Sequence, residues 1–335
     1  MNYVLKTALA ASLIISAVGM TASAFAESDS YPSRPVMLIA PYSAGGDSDI
    51  AARAFAAYAY KALGQTIVVQ NRPGASGIIG SDFVRRAEPD GYTILLARPG
   101  SQSILPALSP TLTKYKWDDF TFIGLLELNP YGCVVRSDSP YKTYEDFAAA
   151  LKTKGGQLNY GTAGVLTTND MGPRLLFNLL KLGDKVPQQI AYKGTGEATT
   201  ALLAGQLDFT CGSIGTILSL IKSGKMRALL VTTPTRYKEL PDVRTAVELG
   251  IPEMAQIIGW SGIYAPQGTP KSVVDRLAKA LKTLQSTPGW LEATEKVGSI
   301  PYVQGPEKAA EFAKVQYETY LHLGQRLNII DKLNN

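Results

Sequence analysis

Short β-rich runs alternate with helical stretches along almost the whole chain, and that alternation confines it to α/β layering. Strand-type runs fall at 36–40, 66–70, 92–97, 121–126, 132–136, 158–161, 188–192, 207–211, 227–232 and 259–265. Helical spacing occupies 49–63, 77–86, 144–152, 170–182, 197–204 and 214–223, and two longer stretches, 271–285 and 306–327, close the chain. In the first helix Ile50, Ala54, Ala57, Tyr58 and Ala62 recur at helical spacing before Gly64 ends the run. The segment ahead of it, Ser43-Ala-Gly-Gly-Asp-Ser-Asp49, supplies a glycine turn and then N-cap residue types. A strand, a Gly-rich turn and a helix in that order leave backbone N–H groups free at one end of the sheet, where they attract anions.

The first 26 residues stand apart from this pattern. They carry one charge, Lys6, then an uncharged stretch from Thr7 to Met20, then Thr21-Ala-Ser-Ala-Phe-Ala26. That order is a secretory signal with cleavage expected between Ala26 and Glu27, and the apolar run is shorter than the roughly 20 residues a membrane span requires. Cleavage leaves 309 of the 335 residues, enough for two domains, and removing Lys6 lowers the net charge from +5 to +4. So small a surplus, with no basic cluster, makes no case for nucleic acid. Composition breaks near 127 and near 235 suggest two chain crossings: a discontinuous first domain, 27–127 with 235–335, and a continuous second one, 128–234.

Two cysteines, Cys133 and Cys211, are too few for a disulfide scaffold and lack metal-ligand spacing, so no metal is expected. An oxidising compartment permits a bridge between them, but sequence does not supply the Cα separation a bridge requires. The single histidine, His322, falls on the C-terminal helical stretch, and no G-x-S-x-G elbow is present, so hydrolytic chemistry is hard to assemble. The chain is read as a binding protein and not an enzyme.

Three strand-to-helix loops carry the binding chemistry. The first, Pro41 to Asp49, lacks the lysine of a nucleotide-binding loop; it is either an ordinary capped turn or an anion cradle built from Tyr42, Ser43, Ala44, Gly45, Gly46 and Ser48. Asp49 stabilises a helix start, yet it repels an anionic ligand unless it meets water, a hydroxyl or an amino group. The second, Ala163 to Asp170, offers Ala163, Gly164, Thr167, Thr168 and Asn169, which either cap a helix or donate to a carboxylate. The third, Tyr192-Lys-Gly-Thr195, opens a helix but lacks the third glycine of a dinucleotide fingerprint, and no cofactor is expected; Tyr192 and Thr195 join the binding set. Arg98 is either a solvated loop residue or a bidentate carboxylate partner, and Ser101 and Ser213 complete the candidates. Of the three tryptophans only Trp260, next to a crossing, merits a test as a ligand platform.

Tyr31-Pro-Ser-Arg-Pro35, Pro41-Tyr-Ser-Ala-Gly-Gly46 with Asp49, Leu63-Gly-Gln65, Val69-Gln-Asn-Arg-Pro-Gly-Ala75, Gly80-Ser-Asp82 and Pro89-Asp-Gly-Tyr-Thr-Ile-Leu-Leu96 stand in order in the first half. Leu158-Asn-Tyr-Gly-Thr-Ala-Gly164, Tyr192-Lys-Gly-Thr195, Gly205-Gln-Leu-Asp208, Gly224-Lys-Met-Arg-Ala-Leu229, Leu240-Pro-Asp-Val243 and Ala265-Pro-Gln-Gly-Thr-Pro270 follow. In these segments the chain resembles the Bug receptors of tripartite tricarboxylate transporters. The resemblance implies a type II periplasmic binding protein fold: two α/β lobes joined by a two-crossing hinge with the ligand cleft between them. It also implies a carboxylate ligand held by the loops at 42–49 and 163–169. A monomeric receptor serving membrane transporter subunits is the expectation; a sensor partner or a periplasmic enzyme using the same cleft are the alternatives. Two departures touch the pocket edge. Arg98-Pro-Gly-Ser101 replaces a Gly-Thr or Gly-Ser turn, and Thr167-Thr-Asn-Asp-Met171 replaces a Ser followed by His-Leu.

Overall fold

A computed structural model describes residues 31–331, so the leader expected at 1–26 lies outside the described residues. The chain begins with β1 (Val36–Ala40), α1 (Asp47–Leu63), β2 (Ile67–Asn71), α2 (Ile78–Arg85), β3 (Thr93–Ala97), the short helices α3 (Leu105–Leu108) and α4 (Pro110–Thr113), and β4 (Phe120–Asn129). Pro130 alone separates β4 from β5 (Tyr131–Arg136). There follow α5 (Tyr144–Lys154), β6 (Asn159–Thr162), α6 (Thr168–Leu179), β7 (Gln188–Ala191), α7 (Thr195–Leu203), β8 (Phe209–Ser213), α8 (Ile214–Lys222) and β9 (Met226–Val231). The return comprises β10 (Gly259–Pro266), α9 (Lys271–Lys282), α10 (Pro288–Lys296), β11 (Ile300–Gln304) and α11 (Pro306–Leu327).

Two mixed sheets result, a six-stranded one ordered β11-β4-β10-β3-β1-β2 and a five-stranded one ordered β7-β6-β8-β5-β9. In the first, β2, β1 and β3 run parallel while β10 pairs antiparallel with both β3 and β4. In the second, β6 runs parallel to β7 and β8, and β5 runs antiparallel to β8 and β9. Both faces of the central strands are covered: β10 is buried along its whole length and β3 at all but its first residue.

Local chemistry explains the boundaries. Thr143 and Asp146 close a reciprocal capping box at the start of α5, and Gly64 ends α1 in the left-handed region with its N–H on the Tyr60 carbonyl. Cys133 and Cys211 face each other across β5 and β8 and form a disulfide. The elements α10 and β11 had no counterpart in the sequence pattern. Pro301 weakens a strand signature, and it is tolerated here because β11 is an edge strand that pairs only with β4.

One hydrophobic core belongs to neither sheet alone. Ile104, Leu105 and Leu108 around α3, and Tyr320 and Leu323 of α11, pack in one cluster with Tyr131, Phe147, Met171, Leu175 and Phe209 of the second half. Thus α11, which also lies against β4, ties the halves together in addition to the two strand crossings. Trp260 is fully buried on β10 between Tyr264 and Phe312, so it is a core residue and not a ligand platform. Among the described residues no helix is long and apolar enough to cross a membrane.

Candidate functional site

Four helices begin around one cavity. The turns after β1, β6 and β7 lead into α1, α6 and α7, and β8 passes straight into α8; each turn lies at the carboxyl end of its strand, where open α/β sheets bind ligands. The cavity together with its open mouth encloses about 440 Å³. From the first half it is walled by Tyr42, Asp47, Ser48, Arg98, Pro99, Gly100 and Gly259, and from the second by Tyr131, Ala163, Thr167, Thr168, Asn169, Thr195 and Ser213.

The two halves touch across it. The Ser43 N–H donates to the Lys193 carbonyl at 3.2 Å, and the Thr195 hydroxyl donates to Asp47 Oδ1 at 3.2 Å. A Cβ on Gly46 would stand 3.0 Å from Thr195 Oγ1, and one on Gly194 would press on Ser43 Oγ, so the two turns pack closely through their glycines. This is a closed arrangement.

Several loop amides are already engaged: Ser43 as above, Gly45 by Asp49 Oδ2 at 3.0 Å, and Asp47 by Thr195 Oγ1 at 3.4 Å. The first-turn N–H groups of Ser48 and Asp49 in α1, and of Thr168 and Asn169 in α6, find no acceptor among the described residues. Those are the donors a helix start always leaves over. Two hydroxyls in the wall are equally unpaired, those of Ser48 and Tyr131, though both residues are buried. Burial, reinforced by Tyr320 and Asp170, pushes the Tyr131 phenol well above its usual range, so it is a neutral donor. Its ring fits because α6 carries Gly172 opposite; any Cβ there would strike the phenol oxygen.

Arg98 is neither a solvated loop residue nor an unopposed clamp. Its side chain is 7% exposed; Nη1 donates to Asn129 Oδ1 at 2.8 Å and Ser261 Oγ at 2.6 Å, and Nη2 pairs with Asp47 Oδ2 at 3.2 Å. Asn129 and Ser261 in turn donate to Glu127 Oε1, both at 3.1 Å, and Asn129 also donates to Ser299. The pocket wall is thereby bonded to β4 and β10, the strands that carry the crossings. Burial raises the Asp47 carboxyl against the opposing pull of Arg98, and burial likewise raises Glu127 against hydrogen bonds from Asn129.

Of the expected binding residues, Tyr42, Ser48, Arg98, Ala163, Thr167, Thr168, Asn169, Thr195 and Ser213 line the cavity. Ser43, Ala44, Gly45 and Gly46 instead form the rim that meets the Lys193–Gly196 turn, and Gly164 packs on Ser76. Asp49 turns back to the Gly45 amide and Arg53, away from the cavity. Ser101 is buried beside Gln102, and Tyr192 lines a separate surface groove with Lys193 and Glu197. Asp47, Pro99, Gly100, Tyr131 and Gly259 line it as well and are not among the expected residues; Asp47 belongs to the first loop, whereas Tyr131 belongs to no motif.

Two α/β halves closed on a cavity ringed by helix starts define a bilobal solute-binding protein. Residues 51–329 match the model of the tripartite tricarboxylate transporter family receptor, and the chain belongs to that family. A relative from Agrobacterium vitis, encoded in the TAR-I ttuE-ttuC' intergenic region, is 37% identical, the match covering 82% of this chain and 78% of the relative. The periplasmic binding protein BugD superposes with a TM-score of 0.84 at 32% identity, covering 90% of this chain and 99% of BugD. MatC from Rhodopseudomonas palustris, solved with bound malate, superposes with a TM-score of 0.81 at 31% identity, covering 88% and 99%.

Proposed function

We propose that this receptor captures a small carboxylate, a di- or tricarboxylate, by closing its two halves over the cavity, and delivers it to the membrane subunits of a tripartite tricarboxylate transporter. The observation that carries this is the convergence of unpaired first-turn amides from α1 and α6 on one cavity that also holds two unpaired hydroxyls. Capture at micromolar concentration requires about 8 kcal/mol. Each hydrogen bond to a charged group supplies about 1.5–3 kcal/mol, so several are needed and one half alone offers too few. Closure and occupancy are coupled because the ligand meets its full donor set only in the closed state.

The malate bound by MatC supports the ligand class. The role is that of a receptor and not an enzyme, since the cavity groups are arranged as donors to an anion, not as a nucleophile with its base. The remaining elements of the reading are a leader cleaved after Ala26, export to the periplasm, a monomeric state, and domains at 27–127 with 235–335 and at 128–234. Calorimetry against a panel of mono-, di- and tricarboxylates and neutral sugars tests it: heat with a carboxylate is expected, and binding of a sugar with no heat from any acid overturns it.

A further inference from the structure

The carboxylate reading leaves one feature of the cavity unexplained, which is a carboxylate in its own wall. Among the described residues Asp47 is the only acidic side chain lining the cavity, and it stands at the first position of α1, beside the unpaired Ser48 and Asp49 amides. Its counter-charge is Arg98, the only cation of that wall among the described residues, whose donors are already divided among Asn129, Ser261 and Asp47. The lining therefore carries no net charge, and a plain diacid entering it would bring its carboxylate against Asp47 with no uncommitted cation in return.

An ionised carboxylate offers about four acceptor positions. Arg98 takes one on Oδ2, Thr195 one on Oδ1, and the Thr216 side chain also bonds to the carboxylate, which leaves one acceptor position on a side chain that borders the cavity. A ligand with a hydroxyl or ammonium group on the carbon next to its carboxylate satisfies both features together. Its carboxylate takes the first-turn amides, and its neighbouring donor takes Asp47. A ligand without that donor covers the remaining acceptor position of Asp47 without pairing it, which is costly.

We infer that Asp47 is a specificity-determining residue, and that the ligand is a carboxylate bearing a hydrogen-bond donor, hydroxyl or ammonium, adjacent to the carboxylate bound at the start of α1. This rests on the carboxylate-receptor reading and narrows it.

The test is calorimetry of the mature protein with three four-carbon diacids that differ only at that carbon: succinate, malate and aspartate. Malate or aspartate is expected to bind at least about tenfold tighter than succinate, the loss of one such bond. In Asp47→Ala that preference collapses, and succinate binding strengthens because Arg98 is released from its counter-charge. Asp47→Asn separates the two donors: its amide oxygen still accepts from a hydroxyl but carries no charge, so an advantage for malate survives and one for aspartate is lost. Equal binding of the three by the wild-type protein, or a preference unchanged in both variants, overturns the inference and leaves the carboxylate reading intact. Binding of none of these or of any other carboxylate in the panel overturns both.

Discussion

The Thr195 hydroxyl donates to the Asp47 carboxylate across the cleft at 3.2 Å, joining the first residue of α7 in one half to the first residue of α1 in the other. Both side chains line the cavity, so one of the bonds between the halves also borders the space proposed for the ligand. Thr195→Val keeps the shape and removes the donor. Ligand affinity is expected to fall by about 1–2 kcal/mol, roughly five- to thirtyfold, while the chemical denaturation midpoint hardly moves. Small-angle scattering of the ligand-free variant should show a larger radius of gyration than that of the wild-type protein.

Tyr131→Phe separates binding from stability. The phenol is buried with no partner among the described residues, so its removal leaves the fold as stable or slightly more so. Affinity for the ligand is expected to drop about tenfold or more, because a hydrogen bond to a charged group is lost. Gly172→Ala should weaken binding too, by pushing the ring out of place, although alanine by itself favours a helix. A titration of each variant against the same ligand checks both.

Removal of the Cys133–Cys211 bridge should cost stability and not specificity. The two residues are 78 positions apart, and a cross-link of that span contributes about 4 kcal/mol in the chain-entropy account. The double alanine variant is expected to melt at a lower temperature and to retain the ligand ranking of the wild-type protein, as read by thermal denaturation with and without ligand.

Glu127 sets a pH dependence whose sign is fixed by its burial. Burial raises its carboxyl above the ordinary glutamate value of 4.5, so the folded state holds a proton that the unfolded state releases. Its contribution to stability is fully present below that value and is lost as the pH rises through the raised folded value. Glu127→Gln keeps an oxygen to accept from Asn129 and Ser261. It should therefore show a smaller loss of stability on going from pH 4.5 towards neutrality than the wild-type protein does, in denaturant titrations at a series of pH values.

The α/β architecture was legible because the strand and helix periods differ and their alternation runs almost unbroken; the bilobal arrangement rested on the ordered family segments. The site was legible where it is local: glycine turns and hydroxyl-rich loops mark where helices start, and helix starts have unpaired amides. What stayed hidden depends on helix phase or on distant partners. Asp47 and Asp49 lie two residues apart in one loop, but on a helix of 3.6 residues per turn they face nearly opposite sides; only Asp47 reaches the cavity. Arg98 finds its partners 31 and 163 positions away, on β4 and β10, and no local spacing announces that. Tyr131 is a hinge aromatic whose hydroxyl matters only because Gly172 makes room for it.

The strand order of the larger sheet also bears on how the molecule is made. β10 lies between β3 and β4, so the two edges it joins are synthesised more than a hundred residues before the strand that closes them. During synthesis the second half has all its strands in hand first, while the earlier segments wait with open hydrogen-bonding edges. Those edges are potential templates for pairing with another chain. The final helix then seals a core shared by both halves, so a chain cut short before 306 would leave neither half finished.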